Sequence, residues 1–486
     1  MKKFLALLLL LATLISLFAG CALEDGSEQG SENDGEGTKQ EQLDKLPSDL
    51  DYDGEDVVVL NRTAQNYNRD EIAVPELNTE PVNDAMFNRN LTIGDRLNVN
   101  IVSHSMDDPD PFAVITEIER VVKAGGQDYD LLAGACYVTL ASALRGTFYD
   151  LSDLEYLDLE QDYWMQDYNE SISMDGEQYT ATGAIALSTY RLAMLTLFNK
   201  EMFEDQGLPS LYEAVQKNEW TLDYQASIVR GFYQDMNGNA VRDEEDLYGF
   251  VTSSSLNTDV YWSACDIPMI QKNADGEYVW TMDTGKLSDT VDKLLYLYYE
   301  SSGTYLCQLD QNDTAQPGIR KMFAEGRAAM TTLRLMAAEL DELRNMPQQY
   351  GIVPMPKYDA NQKEYGTQMH DQFTVFCIPS SVDYGKLEMI GATLEAMASE
   401  SERTVKPAYY EIAIKRKYMS DPVAWEMLDI AFDNMVIDPG VVYADALDYP
   451  HHKLRSIMES KQNAVASQFG SIEKSVNRQL KRLFSQ

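Results

Sequence analysis

The chain has 486 residues, 44% of them hydrophobic, well above the ~250–300 residues at which single cores stop growing, so two lobes are expected. Its 79 acidic and 39 basic residues leave a formal charge of −40. That excess excludes nucleic acid, whose binding rests on Lys and Arg neutralising phosphates, and keeps the body off anionic lipid surfaces.

In chain order, Lys2 and Lys3 precede an apolar run from Phe4 to Phe18, and Ala19-Gly20-Cys21 closes it with small residues. The run is shorter than the ~20 residues a spanning helix needs, and no stop-transfer charges follow. Ser16–Cys21 resembles a bacterial lipoprotein box, with Phe18 where the pattern usually has Leu. The resemblance implies that residues 1–20 are a signal peptide and that Cys21 becomes the lipidated (palmitate-bearing) first residue of an exported chain. Such a chain is anchored to the outer face of the bacterial cell membrane. Leu23–Lys45 has no aromatic residue and cannot bury enough apolar area to offset ordering entropy. Residues 21–50 are therefore expected to form a flexible tether, with the globular body starting near Leu50.

Asp56–Leu60 (DVVVL) reads as a buried strand. Pro81 opens a helix with Val82, Met86, Ile93 and Leu97 on one face, and Val99 and Ile101 alternate as a second strand. Phe112–Ala124 carries apolar residues at helical spacing with Gly125 as its stop, and Asp130–Ala133 is a third strand. Strand–helix–strand–helix–strand with short links predicts a parallel, doubly wound α/β sheet. Ligands of such sheets sit beyond the carboxyl ends of the strands, here Asn61-Arg62, Ser103-His104 and Ala135-Cys136-Tyr137. Tyr190–Asn199 is the next apolar strand, and Trp220 looks like a helix-entry packing residue. An amphipathic helix follows around Leu287–Tyr299, then strands near Met330, over Tyr350–Val353 and over Phe373–Ile378, and mostly helix from Lys386. Cys136, Cys265, Cys307 and Cys377 form no CxxC, and sequence alone cannot pair them. Cys136 and Cys377 lie in apolar runs and read as buried thiols.

The sharpest local motif is Asp235–Asp246. Asp235, Asn237, Asn239, Asp243 and Asp246 place side-chain oxygens at loop positions one, three, five, nine and twelve, with the Val241 carbonyl at seven. That is the spacing of an EF-hand loop, which points to Ca2+ in a structural role. Ala240 stands where the sharp turn wants Gly, and Asp246 is shorter than the usual Glu. The other reading is a solvated acidic turn held by Asx hydrogen bonds. No further cofactor is called for. HExxH, GxSxG, GxxxxGK[ST] and GxGxxG are all missing, and His451-His452 has no third ligand nearby in sequence.

Four stretches together resemble the extracellular solute-binding lipoproteins of ABC importers, in the sugar-binding branch that includes maltose-binding protein. They are YDLLAGACYV at Tyr129–Val138, LFNKEMFEDQGLP at Leu197–Pro209, FAEGRAAMTTLR at Phe323–Arg334 and YGIVPMPKY at Tyr350–Tyr358. The resemblance implies a two-lobed periplasmic-binding-protein-like clamp whose chain crosses between lobes more than once. Residues 51–185 with 351–400 form lobe one, 186–350 lobe two, and 401–486 C-terminal helices packing on the lobes. The expected function is capture of a solute, a carbohydrate or oligosaccharide, by hinge closure and its delivery to an ABC permease, without enzymatic activity. The lipid anchor is the one membrane contact expected. Other functions to weigh are a secreted glycan-processing enzyme, an adhesion protein, and a binder of peptides or polyamines.

Sugar sites use flat aromatics against C–H faces and bidentate polar groups against hydroxyls. Arg62 and Tyr137 end lobe-one strands, and Arg334 ends the strand where family members place cleft residues. His370 and Asp371 form a polar turn before the Phe373 strand. Trp164 follows an acidic loop, and Trp262 lies in the aromatic segment of lobe two. These seven are the candidate ligand contacts. For the arginines the alternative is an ion pair, and for His370-Asp371 a turn hydrogen bond.

Overall fold

Asp56–Leu60 lies at the centre of the first sheet. The computed structural model describes residues 42–63, 67–174, 176–308, 316–418 and 421–484. In it β1 (Glu55–Arg62) pairs in parallel with β2 (Val99–Met106) and β3 (Leu131–Ala135). Val57, Val59 and Leu60 are fully buried, as a central parallel strand requires. Between β1 and β2 runs α1 (Pro81–Leu97), with Pro81 in its first turn and Met86, Ile93 and Leu97 buried. Arg89 occupies the remaining inward position, where its guanidinium bonds the Ile72 carbonyl at 2.6 Å. Between β2 and β3 lies α2 (Phe112–Ala124), stopped by Gly125 at φ 65°. The doubly wound opening is as expected.

The second sheet contains β4 (Met194–Asn199), β5 (Leu247–Thr252), β6 (Ala328–Arg334) and β7 (Tyr350–Val353), in the order β7-β4-β6-β5. β6 is antiparallel to β4 and parallel to β5. β7 pairs with β4, so Tyr350–Val353 belongs to the second sheet and the return crossing comes after it. The apolar run from Tyr190 does not enter β4 at once. Ser188–Arg191 forms one helical turn, because the Ser188 N–H and hydroxyl both donate to the buried Glu71 carboxylate at 2.8 Å. The chain then crosses back, and β8 (Thr374–Cys377) joins the first sheet antiparallel to β3. A helix over Leu387–Glu400 packs into the core of that lobe. The later helices pack into the core of the other, where Phe469 meets Trp262.

The signal peptide, Cys21 and residues up to 41 lie outside the described residues. The tether expected over 21–50 does not extend through 42–50. The Asp44 side chain is fully buried against Arg96, whose Nη1 and Nη2 donate to its two oxygens at 2.8 and 2.5 Å. Ser399 and the Leu46 N–H donate to it as well, and Leu46 is itself a core residue. Burial raises the Asp44 pKa, but the Arg96 and Ser399 contacts outweigh it and hold the carboxyl below its ordinary range. Composition hides this segment because one buried acid and one leucine anchor it. Cys136, Cys265, Cys307 and Cys377 are all buried, and none is in a disulfide. No helix among the described residues is long and apolar enough to cross a membrane.

Candidate functional site

Parallel strands end on one edge of their sheet, and the second sheet presents such an edge to one cavity. β6 delivers Arg334, while β5 continues through Ser253–Ser255 to Asn257 and Asp259. The returning crossing supplies Gln368, His370 and Asp371, and the C-terminal segment supplies His451 and Arg455. The open space among these side chains is about 30 Å³, room for a water-sized group.

The turn at 370–372 is clamped onto the first sheet. Tyr137 N–H donates to the Asp371 carbonyl at 3.3 Å, and Cys136 N–H to the Phe373 carbonyl at 2.9 Å. Burial pushes the Asp371 carboxyl up to about 7, against the pull of Arg455, Arg334 and Arg62. Burial pushes His370 well below its ordinary value, and nearby guanidiniums add to that. The 3.2 Å contact between His370 Nδ1 and Asp371 Oδ1 is therefore no full ion pair, and the Gln372 N–H donates to that Nδ1 at 3.4 Å. Asp259 is held differently. Burial would raise it, but Arg455 outweighs this and keeps it ionised, with Nε 2.9 and 3.0 Å from the two carboxylate oxygens. Burial lowers His451 to about 3 and His452 to about 4, so both are neutral.

Aromatic rings flank the cavity. Tyr137 meets Phe112 edge-on at 6.1 Å and Tyr449 at 6.2 Å, and Tyr449 stacks on His452 at 5.0 Å. Tyr449 and the preceding Asp448 take left-handed backbone angles, φ 51° and 61°. Strain of that kind concentrates at ligand sites.

Of the seven candidate contacts, Arg334, His370 and Asp371 line the cavity together, with Tyr137 and Arg62 adjacent. Trp164 and Trp262 do not join them. Trp164 is 1% exposed, and its indole N–H donates to Glu395 at 3.1 Å inside lobe one. Trp262 is 2% exposed and packs edge-on against Phe469. Both indoles fill cores, and aromatic content says nothing about which face a ring takes. Trp220 is buried, with its N–H on the Pro354 carbonyl, as expected of a packing residue.

Sequence reasoning missed Asp259, Tyr449, His451 and Arg455. His451-His452 was visible, but its acid, Asp259, is distant in sequence and only the fold brings it to His451. Ligand atoms of Asp259, His451 and His452 lie within 4.8 Å of one another. Arg455 already engages both Asp259 oxygens, so this donor set does not fit a metal ion.

The Asp235–Asp246 loop sits at the other end of β5, roughly 20 Å from the cavity by strand rise. Asp235 accepts from Gly238 and Ala240 N–H at 2.7 and 2.9 Å, Asn237 from Asn239, and Asn239 from Val241. Asp246 is buried, accepting from Tyr233 and the Met236 N–H. Ala240 takes the tight turn at φ 56°. These bonds are those of an Asx-turned acidic loop.

No protein-family model and no curated sequence matches the chain. Solved structures do. The ABC substrate-binding protein Lmo0181 from Listeria monocytogenes, in complex with cycloalternan, superposes with TM-score 0.55 at 14% identity, covering 88% of this chain and 99% of that one. The GacH receptor of Streptomyces glaucescens, solved unliganded and with acarbose, gives 0.56 at 12% identity over 88% and 99%. A solute-binding protein from Thermotoga lettingae bound with alpha-D-tagatose gives 0.55 at 13% identity over 88% and 100%. The fold is the two-lobed α/β architecture of periplasmic binding proteins.

Proposed function

We propose that the protein is an extracytoplasmic solute-binding protein that captures a carbohydrate between its lobes and delivers it to an ABC permease. One observation carries the reading: polar and charged residues from the second sheet, the crossing segment and the C-terminal helices converge on one cavity, beside Tyr137 and Tyr449 and the Arg62 end of the first sheet. The fold likeness to sugar- and polyol-bound binding proteins supports it. The cavity admits only a water-sized group, so a sugar ring enters when the walls part, which suits hinge closure. The Ser16–Cys21 pattern supports export and a lipid anchor at Cys21. The protein acts by binding and release, without catalysis.

Thermal unfolding against mono- and oligosaccharides, amino acids, peptides and polyamines tests this. A ligand at 100-fold saturation should stabilise the protein by ~2.7 kcal/mol. Arg334→Ala and Tyr449→Ala should abolish the shift. A shift with peptides or polyamines alone keeps the clamp and discards the carbohydrate. Hydrolysis of the glycans would make the protein an enzyme.

We also propose a structural calcium ion in the Asp235–Asp246 loop. The reading is supported by the EF-hand spacing of the loop and by its tight curl, in which Asp235 accepts from the Gly238 and Ala240 N–H while Ala240 takes left-handed angles. Millimolar calcium should raise the melting temperature, and Asp235→Ala should remove the effect. Ala240→Gly should strengthen it by relieving ~1 kcal/mol of strain. No uptake in equilibrium dialysis, with Asp235→Ala as stable as the parent, leaves an acidic turn.

A further inference from the structure

Arg62 ends β1 on the ligand-facing edge of the first sheet, and it is 2% exposed. Its Nη2 donates to neutral acceptors, Gln372 Oε1 at 3.2 Å and, at a long 3.4 Å, Tyr67 Oη. Its Nε and Nη1 have no hydrogen-bond partner among the described residues. Arg96, Arg191 and Arg455 each face a carboxylate, whereas Arg62 has none within 4 Å among the described residues. A buried guanidinium without an acceptor is costly, and folds keep such a group when something else completes it.

The surroundings point the same way. Among the described residues, Arg62, Arg334 and Arg455 gather around two carboxylates, Asp259 and Asp371, and Arg455 takes up Asp259. Three guanidiniums in one place inside a chain of charge −40 run against composition. A sugar hydroxyl would accept a hydrogen bond from Arg62 but leave its charge unmatched. A carboxylate would answer both. The tyrosines beside it offer flat faces to the ring that carries the acid.

We propose that the solute is an acidic sugar bearing a carboxylate or an equivalent anionic group, and that Arg62 receives that group. This rests on the solute-binding reading above.

Calorimetry on the purified protein decides it, with a panel pairing each neutral sugar with its uronate counterpart, plus sulfated and phosphorylated sugars. The acidic member of a pair should bind ~10–100-fold more tightly than the neutral one. Arg62→Gln should erase that ratio while keeping residual neutral-sugar binding, and Arg62→Lys should restore part of it. Preference for sulfate or phosphate over carboxylate supports the anionic reading and names the group. Equal or tighter binding of the neutral members overturns it, as does an Arg62→Gln variant with the ratio intact. If Arg62→Gln fails to fold, the ratio in the parent protein decides alone. Binding of neutral sugars only removes this inference and leaves the clamp standing, whereas no sugar of either charge binding removes both.

Discussion

A chain trimmed to begin at Leu46 should be about 3 kcal/mol less stable than one beginning at Gln42. Trimming removes Asp44 and leaves the Arg96 guanidinium, 15% exposed, and the buried Ser399 hydroxyl without their acceptor. Breaking a buried pair from one side costs ~3–5 kcal/mol, and the partial exposure of Arg96 sets the lower end. Urea unfolding of the two chains measures the difference as a shift in midpoint at unchanged slope. Asp44→Ala in the longer chain should reproduce most of it. Equal midpoints would mean that residues 42–45 belong to the tether.

Glu395→Gln should stabilise the protein by up to about 3 kcal/mol at pH 8 and by little or nothing at pH 4.5. Glu395 is 2% exposed and accepts from Tyr163, Trp164 and the Asp158 N–H. Burial pushes its carboxyl up to about 7 against an ordinary 4.5. The folded state therefore holds a proton that the unfolded chain has released, so stability falls as pH rises from 4.5 through 7. Gln stays neutral throughout, and the Tyr163 hydroxyl can turn to accept from its amide. Asp371 at about 7 and Asp438 at about 6 act in the same direction. His451 at about 3 and His452 at about 4 act oppositely, since the unfolded chain protonates them below 6.5. The parent should thus melt at nearly constant temperature between pH 4.5 and 6.5 and less stably at pH 8. The variant should lose stability on acidification. A variant melting below the parent at pH 8 would show that the carboxylate's hydrogen bonds outweigh its burial.

The first sheet was legible because each unit used a local signal: a β-branched run for β1, Pro81 to open α1, Gly125 to end α2. The same locality explains the failures. Trp164 and Trp262 have the right chemistry for a sugar, but only packing decides which way an indole faces. Arg334, His370 and Asp371 were placed at the sheet edge from sequence because they end or precede apolar strands. Asp259 and Arg455 were not, since neither is remarkable until the C-terminal helices bring them together. Arg89 filled a helix position that periodicity reserves for an apolar residue, because the Ile72 carbonyl and Ser401 hydroxyl satisfy it.

The late arrival of β8 has a consequence for biosynthesis. Until Thr374–Cys377 has left the ribosome, β3 keeps one edge without a neighbour, and the core around it lacks the helix over Leu387–Glu400. All of the second sheet is made in between. A chain interrupted just beyond Val353 would therefore carry the second-sheet strands β4 to β7 beside an unfinished first lobe whose bare strand edge invites aggregation. Full-length synthesis should precede stable folding, and holdase chaperones should engage the nascent chain over that interval.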